Sequence, residues 1–275
     1  MATLAPIGLH AVGLLGPGLR DFAQARPALA GREPLIPEAV TIPPSTLLPA
    51  NERRRTTQTI RLAMKVAEEA TEGGDRERMR SVFASSSGDM DIIDRICAAL
   101  TEPEPMLSPT QFHNSVHNAA AGNWSIATAN PAPATALSAF DATLAAGLLE
   151  AATLQLAEGG EVLLVAYDVP SMDSFREVRP VREPFAVALR LGPCAGARWQ
   201  LGLDYTDDTP VTPCVSPELE ALRQVNPAAR VLPLLERLAR DAAADVTLPA
   251  PLGRRLGIRL EPLARNPEPA TPSHG

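Results

Sequence analysis

Several residue types are scarce in this 275-residue chain, and each scarcity closes off a class of function. Cysteine occurs only at Cys97, Cys194 and Cys214. The number is odd and there is no C-x-x-C pair, which argues against a disulfide framework or a zinc site and fits a reducing compartment. Histidine occurs only at His10, His113, His117 and His274, with none between residues 118 and 273. Lys65 is the single lysine, aromatic residues make up 4%, and the formal net charge is −7. An acidic chain without a basic, aromatic-interleaved stripe gains nothing from the counterion release that drives nucleic-acid binding. The densest basic spot, Arg53-Arg54-Arg55 after Glu52, is expected to be a solvated loop or ion-pair site, with an acidic carrier protein as its other possible partner. Long apolar runs are missing too. The opening MATLAPIGLHAVGLLGPGLR has no charged leading region and is broken by Gly and Pro, so neither a signal peptide nor a membrane helix is expected, and the protein is read as cytoplasmic.

What is abundant is proline, 28 residues, at twice the usual ~5%, alongside 45% hydrophobic residues. The prolines predict much loop near both ends, and the scarcity of aromatics predicts a core of Ala, Leu and Val. A first strand is expected over 5–15, loop with a short helix near 19–29, and a helix over 56–72, where Ile60, Ala63, Met64, Ala67 and Ala70 share a face. A short buried strand follows at 80–86. A helix over 89–100 places Met90, Ile93, Ile96, Cys97 and Leu100 on one face, which makes Cys97 a packed core thiol. Ser108-Pro109 is a helix start, and that helix is expected to run to Ala121 and stop at Gly122. Then come a strand at 134–140, a helix at 142–158 and the apolar strand 161–167, an order that predicts a parallel α/β unit. Residues 184–192 and 197–205 are expected as two antiparallel strands joined by a Gly-Pro turn, followed by helices at 216–223 and 230–245 and a strand at 255–260. Residues 1–262 form the expected domain, and 263–275 a disordered Pro-rich tail.

Several stretches carry a family likeness: FASSSGD at 83–89, Ser108-Pro109, the helix VHNAAAG at 116–122, and the Gly159-Gly160-Glu161 turn before VLLVAY. Over about residues 5–205 the chain resembles the N-terminal half of a β-ketoacyl synthase, one of the thiolase-like condensing enzymes. The resemblance implies an α/β, thiolase-like fold: a truncated ketosynthase N-terminal half, a mixed sheet covered by helices, with a short divergent C-terminal part. It also implies that the turn between strand 134–140 and helix 142–158 is the elbow that carries a catalytic cysteine in such enzymes. Counting forward from Asn118 and back from Gly147 both place that position at Asp141.

Asp141 is a poor substitute for a thiolate, because a carboxylate attacking a thioester gives an anhydride, an uphill product. Its simplest role is to cap the helix that follows. The two histidines that condensing enzymes draw from their C-terminal half have no counterpart here. The resemblance therefore implies a non-catalytic, chain-length-factor-type subunit, similar to the ketosynthase-like proteins of aryl polyene and xanthomonadin-type pigment clusters. Its partner would be a full-length catalytic ketosynthase, with acyl carrier protein binding transiently. Gln111, Phe112, His113, Val116 and His117 would lie at that interface and acyl pocket. His113 and His117 are spaced i, i+4 as metal ligands can be, but no third ligand is evident, and neither a metal nor a cofactor is expected. Two other functions compete: an acyltransferase or hydrolase using Cys97 with His113 or His117, and an interaction scaffold with no acyl pocket.

Overall fold

A computed structural model describes residues 4–263; the tail assigned to 263–275 falls almost wholly outside the described residues. The first half of the chain forms β1 (Ile7–Leu15), α1 (Phe22–Leu29), α2 (Ala50–Arg53), α3 (Gln58–Ala70), β2 (Arg80–Ala84), α4 (Met90–Leu100), α5 (Pro109–Asn114), α6 (Ala119–Thr128) and β3 (Ala134–Leu137). The second half adds α7 (Thr143–Glu158), β4 (Val162–Asp168), β5 (Phe185–Gly192), β6 (Trp199–Thr206), α8 (Pro217–Val225), α9 (Leu232–Ala239), β7 (Ala244–Pro249) and β8 (Arg255–Pro262). All eight strands join one sheet in the order β3-β2-β4-β5-β1-β6-β8-β7. The neighbours β3, β2 and β4 run parallel, and every other pairing is antiparallel.

The apolar run of β4 is the structural centre, with all seven of its residues buried. Alternation sends Val162, Leu164 and Ala166 to one face of the sheet, where α1, α7, α8 and α9 pack. Leu163, Val165 and Tyr167 go to the other face, against α3 and α6. A strand covered on both sides has no polar face to alternate with, hence the continuous run EVLLVAY. Gly147 allows α7 to lie close on the sheet, since a methyl there would come within 2.9 Å of Leu164 Cδ1 and 3.0 Å of the Ala84 methyl. Helix starts follow capping rules: the Thr57, Asp89, Ser108 and Ser216 side chains each accept a backbone N–H from the first turn.

Several expectations are corrected. The strands 185–192 and 199–206 do not pair as a hairpin; β1 runs between them, and the 193–198 turn passes over Gly8, where only a missing side chain leaves room for the Pro193 carbonyl. The helix expected over 108–121 is two helices, broken at Ser115–Asn118, and the second runs through Gly122 to Thr128. The Ser115 hydroxyl donates to the Phe112 carbonyl at 2.8 Å, taking a backbone acceptor that helix continuation needs. The helix expected over 230–245 ends at Ala239; Asp241 takes a left-handed φ of 51°, and β7 begins at Ala244. Cys97 is not in the core: α4 buries only Ile92, and Cys97 is exposed. The C-terminal part extends the same sheet with β7 and β8, while α8 and α9 complete the core on the α7 side. Among the described residues, no helix is long and apolar enough to cross a membrane.

α3 crosses β1 at Gly13, where a Cβ would collide with the Val66 carbonyl. A backbone atom cannot swing aside as a side chain can, so Gly13→Ala should cost about 3 kcal/mol. Urea denaturation checks this, and a loss below about 1 kcal/mol would mean that α3 sits more loosely on the sheet.

Candidate functional site

The elbow between β3 and α7 is braced by Thr143. Its hydroxyl accepts the Ala139 N–H at 2.9 Å and donates to the Phe140 carbonyl at 2.6 Å. That tight turn forces Phe140 to φ 54°, a left-handed conformation that bulky residues rarely adopt. Asp141 follows, in a single 3-10 turn that leads into α7.

Asp141 does not cap α7. No side chain caps that helix, whose N-cap is Ala142. Instead, Asp141 Oδ1 accepts from Arg179 Nη1 at 2.9 Å, and the same guanidinium lies 3.9 Å above the Phe140 ring. The Asp141 side chain is 50% exposed and that of Arg179 only 13%. Arg230 lies in the 3-10 turn Ala228–Val231 of the C-terminal part, near enough to feel the Asp141 charge. Burial holds the Arg230 guanidinium below its usual pKa, and the charge of Asp141 opposes that.

A second carboxylate sits at the end of β4. Asp168 Oδ1 accepts from Ser86 N at 2.9 Å, Ser86 Oγ at 2.8 Å and Ser85 Oγ at 3.2 Å, and Oδ2 accepts from Ala228 N at 3.1 Å. Burial pushes its pKa from 3.8 up to about 6, and the Ser86, Ser85 and Ala228 donors partly offset that rise. Ser138 Oγ donates to the Ser86 carbonyl at 3.1 Å, which links this cluster to the elbow.

The residues assigned to the interface do not form one group. Phe112 (64% exposed) and Val116 (51%) line a shallow groove of ≈ 420 Å³ with His113 and, from α6, Ile126 (68%). Gln111 lies in a separate groove with Arg55, Thr57, Arg95 and Met172. His117 pairs its Nε2 with the Ser85 carbonyl at 3.1 Å. The break between α5 and α6 also takes His113 and His117 off a common helix face. Among the described residues, no group of three or more His, Cys, Asp or Glu side chains is placed to hold a metal. Cys97 has no hydrogen-bond partner among the described residues, and the Ser86 hydroxyl pairs with Asp168 rather than with a histidine, so neither a Cys–His nor a Ser–His pair is assembled. Asp168, Arg179 and Arg230 were not singled out from the sequence. The available signal for Asp168 was a carboxylate closing an otherwise apolar strand.

The model of the β-ketoacyl synthase N-terminal domain matches residues 29–245. The chain belongs to this family. In fold it is similar to a chain from the ketosynthase in complex with its chain length factor from Xenorhabdus doucetiae (22% identity, TM-score 0.73, 93% of this chain and 100% of that one). It is also similar to the ishigamide ketosynthase/chain length factor (12%, 0.72, 94% and 100%) and to a β-ketoacyl synthase from Burkholderia phymatum (11%, 0.65, 94% and 100%). At these identities the likeness is one of fold, and the mixed, helix-covered sheet is thiolase-like as the resemblance implied. No curated protein matches the chain.

The sign of the Asp168 effect follows from its raised pKa. The folded state keeps this proton to a higher pH than the unfolded state does, so the carboxyl favours folding most below about pH 4 and loses that advantage as pH rises through 6. Between pH 4 and pH 7, wild type should lose roughly 2 kcal/mol of stability relative to Asp168→Asn. Urea unfolding of both proteins at the two pH values reads this, and parallel stability curves would contradict it.

Proposed function

We propose that this chain is a non-catalytic, chain-length-factor-type subunit that pairs with a full-length, active β-ketoacyl synthase. The observation that carries the reading is the elbow. At the position that the resemblance assigns to the family's nucleophile stands Asp141, ion-paired to Arg179 at 2.9 Å. A carboxylate held by a guanidinium is a weak nucleophile toward a thioester, and its product would be an anhydride. The exposed Cys97 and the separated His113 and His117 give no support to an acyltransferase or hydrolase working alone.

In this reading the partner supplies the cysteine and both histidines, and this chain, residues 1–262 acting as one domain, bounds the acyl tunnel. Apolar surface supports a partner in that place. Phe112, Val116 and Ile126 are exposed around one groove, and Met106 is exposed just before α5. Such a cluster is unusual on a chain that works alone. Acyl carrier protein would deliver substrates transiently, in the cytoplasm, and the products would be polyketide-like chains of the aryl polyene pigment type.

Co-expression with a catalytic ketosynthase followed by sizing tests the proposal. The expected result is a 1:1 complex that condenses malonyl and acyl carrier substrates only when both chains are present. Val116→Asp, which puts a charge in the groove, should weaken the complex at least tenfold, while the variant itself stays folded. Normal condensation by this chain alone would overturn the reading, as would failure to bind the ketosynthase.

A further inference from the structure

The segment 169–184 between β4 and β5 is long for a connection between adjacent antiparallel strands, and it is tied down at several points. Ser171 N donates to the Val181 carbonyl at 2.9 Å, closing the base of the segment. Ser174 Oγ donates to Asp94 of α4 at 3.2 Å, and Asn226 Nδ2 donates to the Glu183 carbonyl at 3.0 Å. From the middle of this segment Arg179 reaches the elbow.

The charges at the elbow are unequal. Arg179 is largely buried and Arg230 half-buried, and each has a buried guanidinium nitrogen with no partner among the described residues, Nη2 and Nε respectively. Asp141 is the anion that pairs with Arg179, and its charge also acts on Arg230. Arg223 lowers the Arg230 pKa further, and Glu220 opposes it, but Glu220 is itself paired with Arg223. Removing the Asp141 charge would leave the largely buried Arg179 guanidinium without its ion-pair partner, an arrangement that favours its expulsion. Arg230 is fixed in a turn of the core, with its Nη2 bonded to the Gln224 carbonyl at 3.2 Å. Arg179 rides on a surface segment and is the one free to leave.

We propose that Asp141 is a positioning residue: it is the electrostatic anchor of a strap, residues 169–184, held against the elbow through Arg179. The position that would carry a nucleophile thus does mechanical work, and the strained Phe140 supplies the aromatic surface on which the Arg179 guanidinium rests. The inference concerns a single chain and stands whether or not that chain pairs with a ketosynthase.

Hydrogen exchange read by mass spectrometry on the full chain tests it. Asp141→Asn and Arg179→Gln should each speed amide exchange across 173–181 at least tenfold, with β4 exchange unchanged as the sign of an intact sheet. Asp141→Glu, which keeps the charge, should restore most of the protection, and Glu150→Gln, elsewhere on α7, should leave the strap as in wild type. Exchange across 173–181 within twofold of wild type in both charge-removing variants would overturn the proposal. So would an Asp141→Glu strap as open as that of Asp141→Asn, because packing alone would then explain the effect. None of these outcomes bears on binding to a ketosynthase, which sizing reads separately.

Discussion

One buried carboxylate holds the elbow end of the sheet together. Asp168 closes β4 and gathers donors from two places that the chain reaches at very different times: Ser85 and Ser86 after β2, and Ala228 in the C-terminal part. Each hydrogen bond to a buried carboxylate both satisfies a donor and offsets the cost of burying the acid. Because Ser86 is fixed by Asp168, its carbonyl is fixed as acceptor for Ser138, and the fixed Ser85 carbonyl meets His117. The geometry of the elbow and the break between α5 and α6 thus both lean on this one group.

The two aspartates at this end of the sheet solve opposite problems. Asp168 is enclosed among neutral donors and has its pKa raised by burial. Asp141 is half in solvent and paired with a full positive charge. The first environment keeps the acid proton-bound to a higher pH, and the second spreads the anion's charge into a guanidinium.

Much of the fold was legible in the sequence where the deciding forces are local. The run EVLLVAY announced a buried strand, Ser108 marked a helix start, and the resemblance to the family's motifs implied Asp141 at the elbow. The errors came from non-local competition. Nothing near residues 184–205 shows that β1, some 180 residues earlier in the chain, will lie between the two strands. The apolar face of α4 looked like core because periodicity reports amphipathicity and not what covers it; here that face is only partly covered, with Met90, Ile93 and Ile96 half-buried and Cys97 and Leu100 exposed. The Arg179–Asp141 pair joins a loop to an elbow 38 residues away, and no pattern in either segment names the other.

The two borders of the sheet differ in a way that bears on assembly. At the β7 border, Thr212 donates its N–H to the Thr247 carbonyl and its hydroxyl accepts the Thr247 N–H, both at 2.9 Å, so a stretch of loop already occupies that ladder. At the β3 border, no further strand is paired among the described residues. A sheet open on one side only can accept a single additional strand-bearing neighbour and then has nothing left to offer. Were a neighbour to add a strand at the β3 border, no second free border would remain, so strand addition of that kind would end with a pair instead of growing into open-ended fibres.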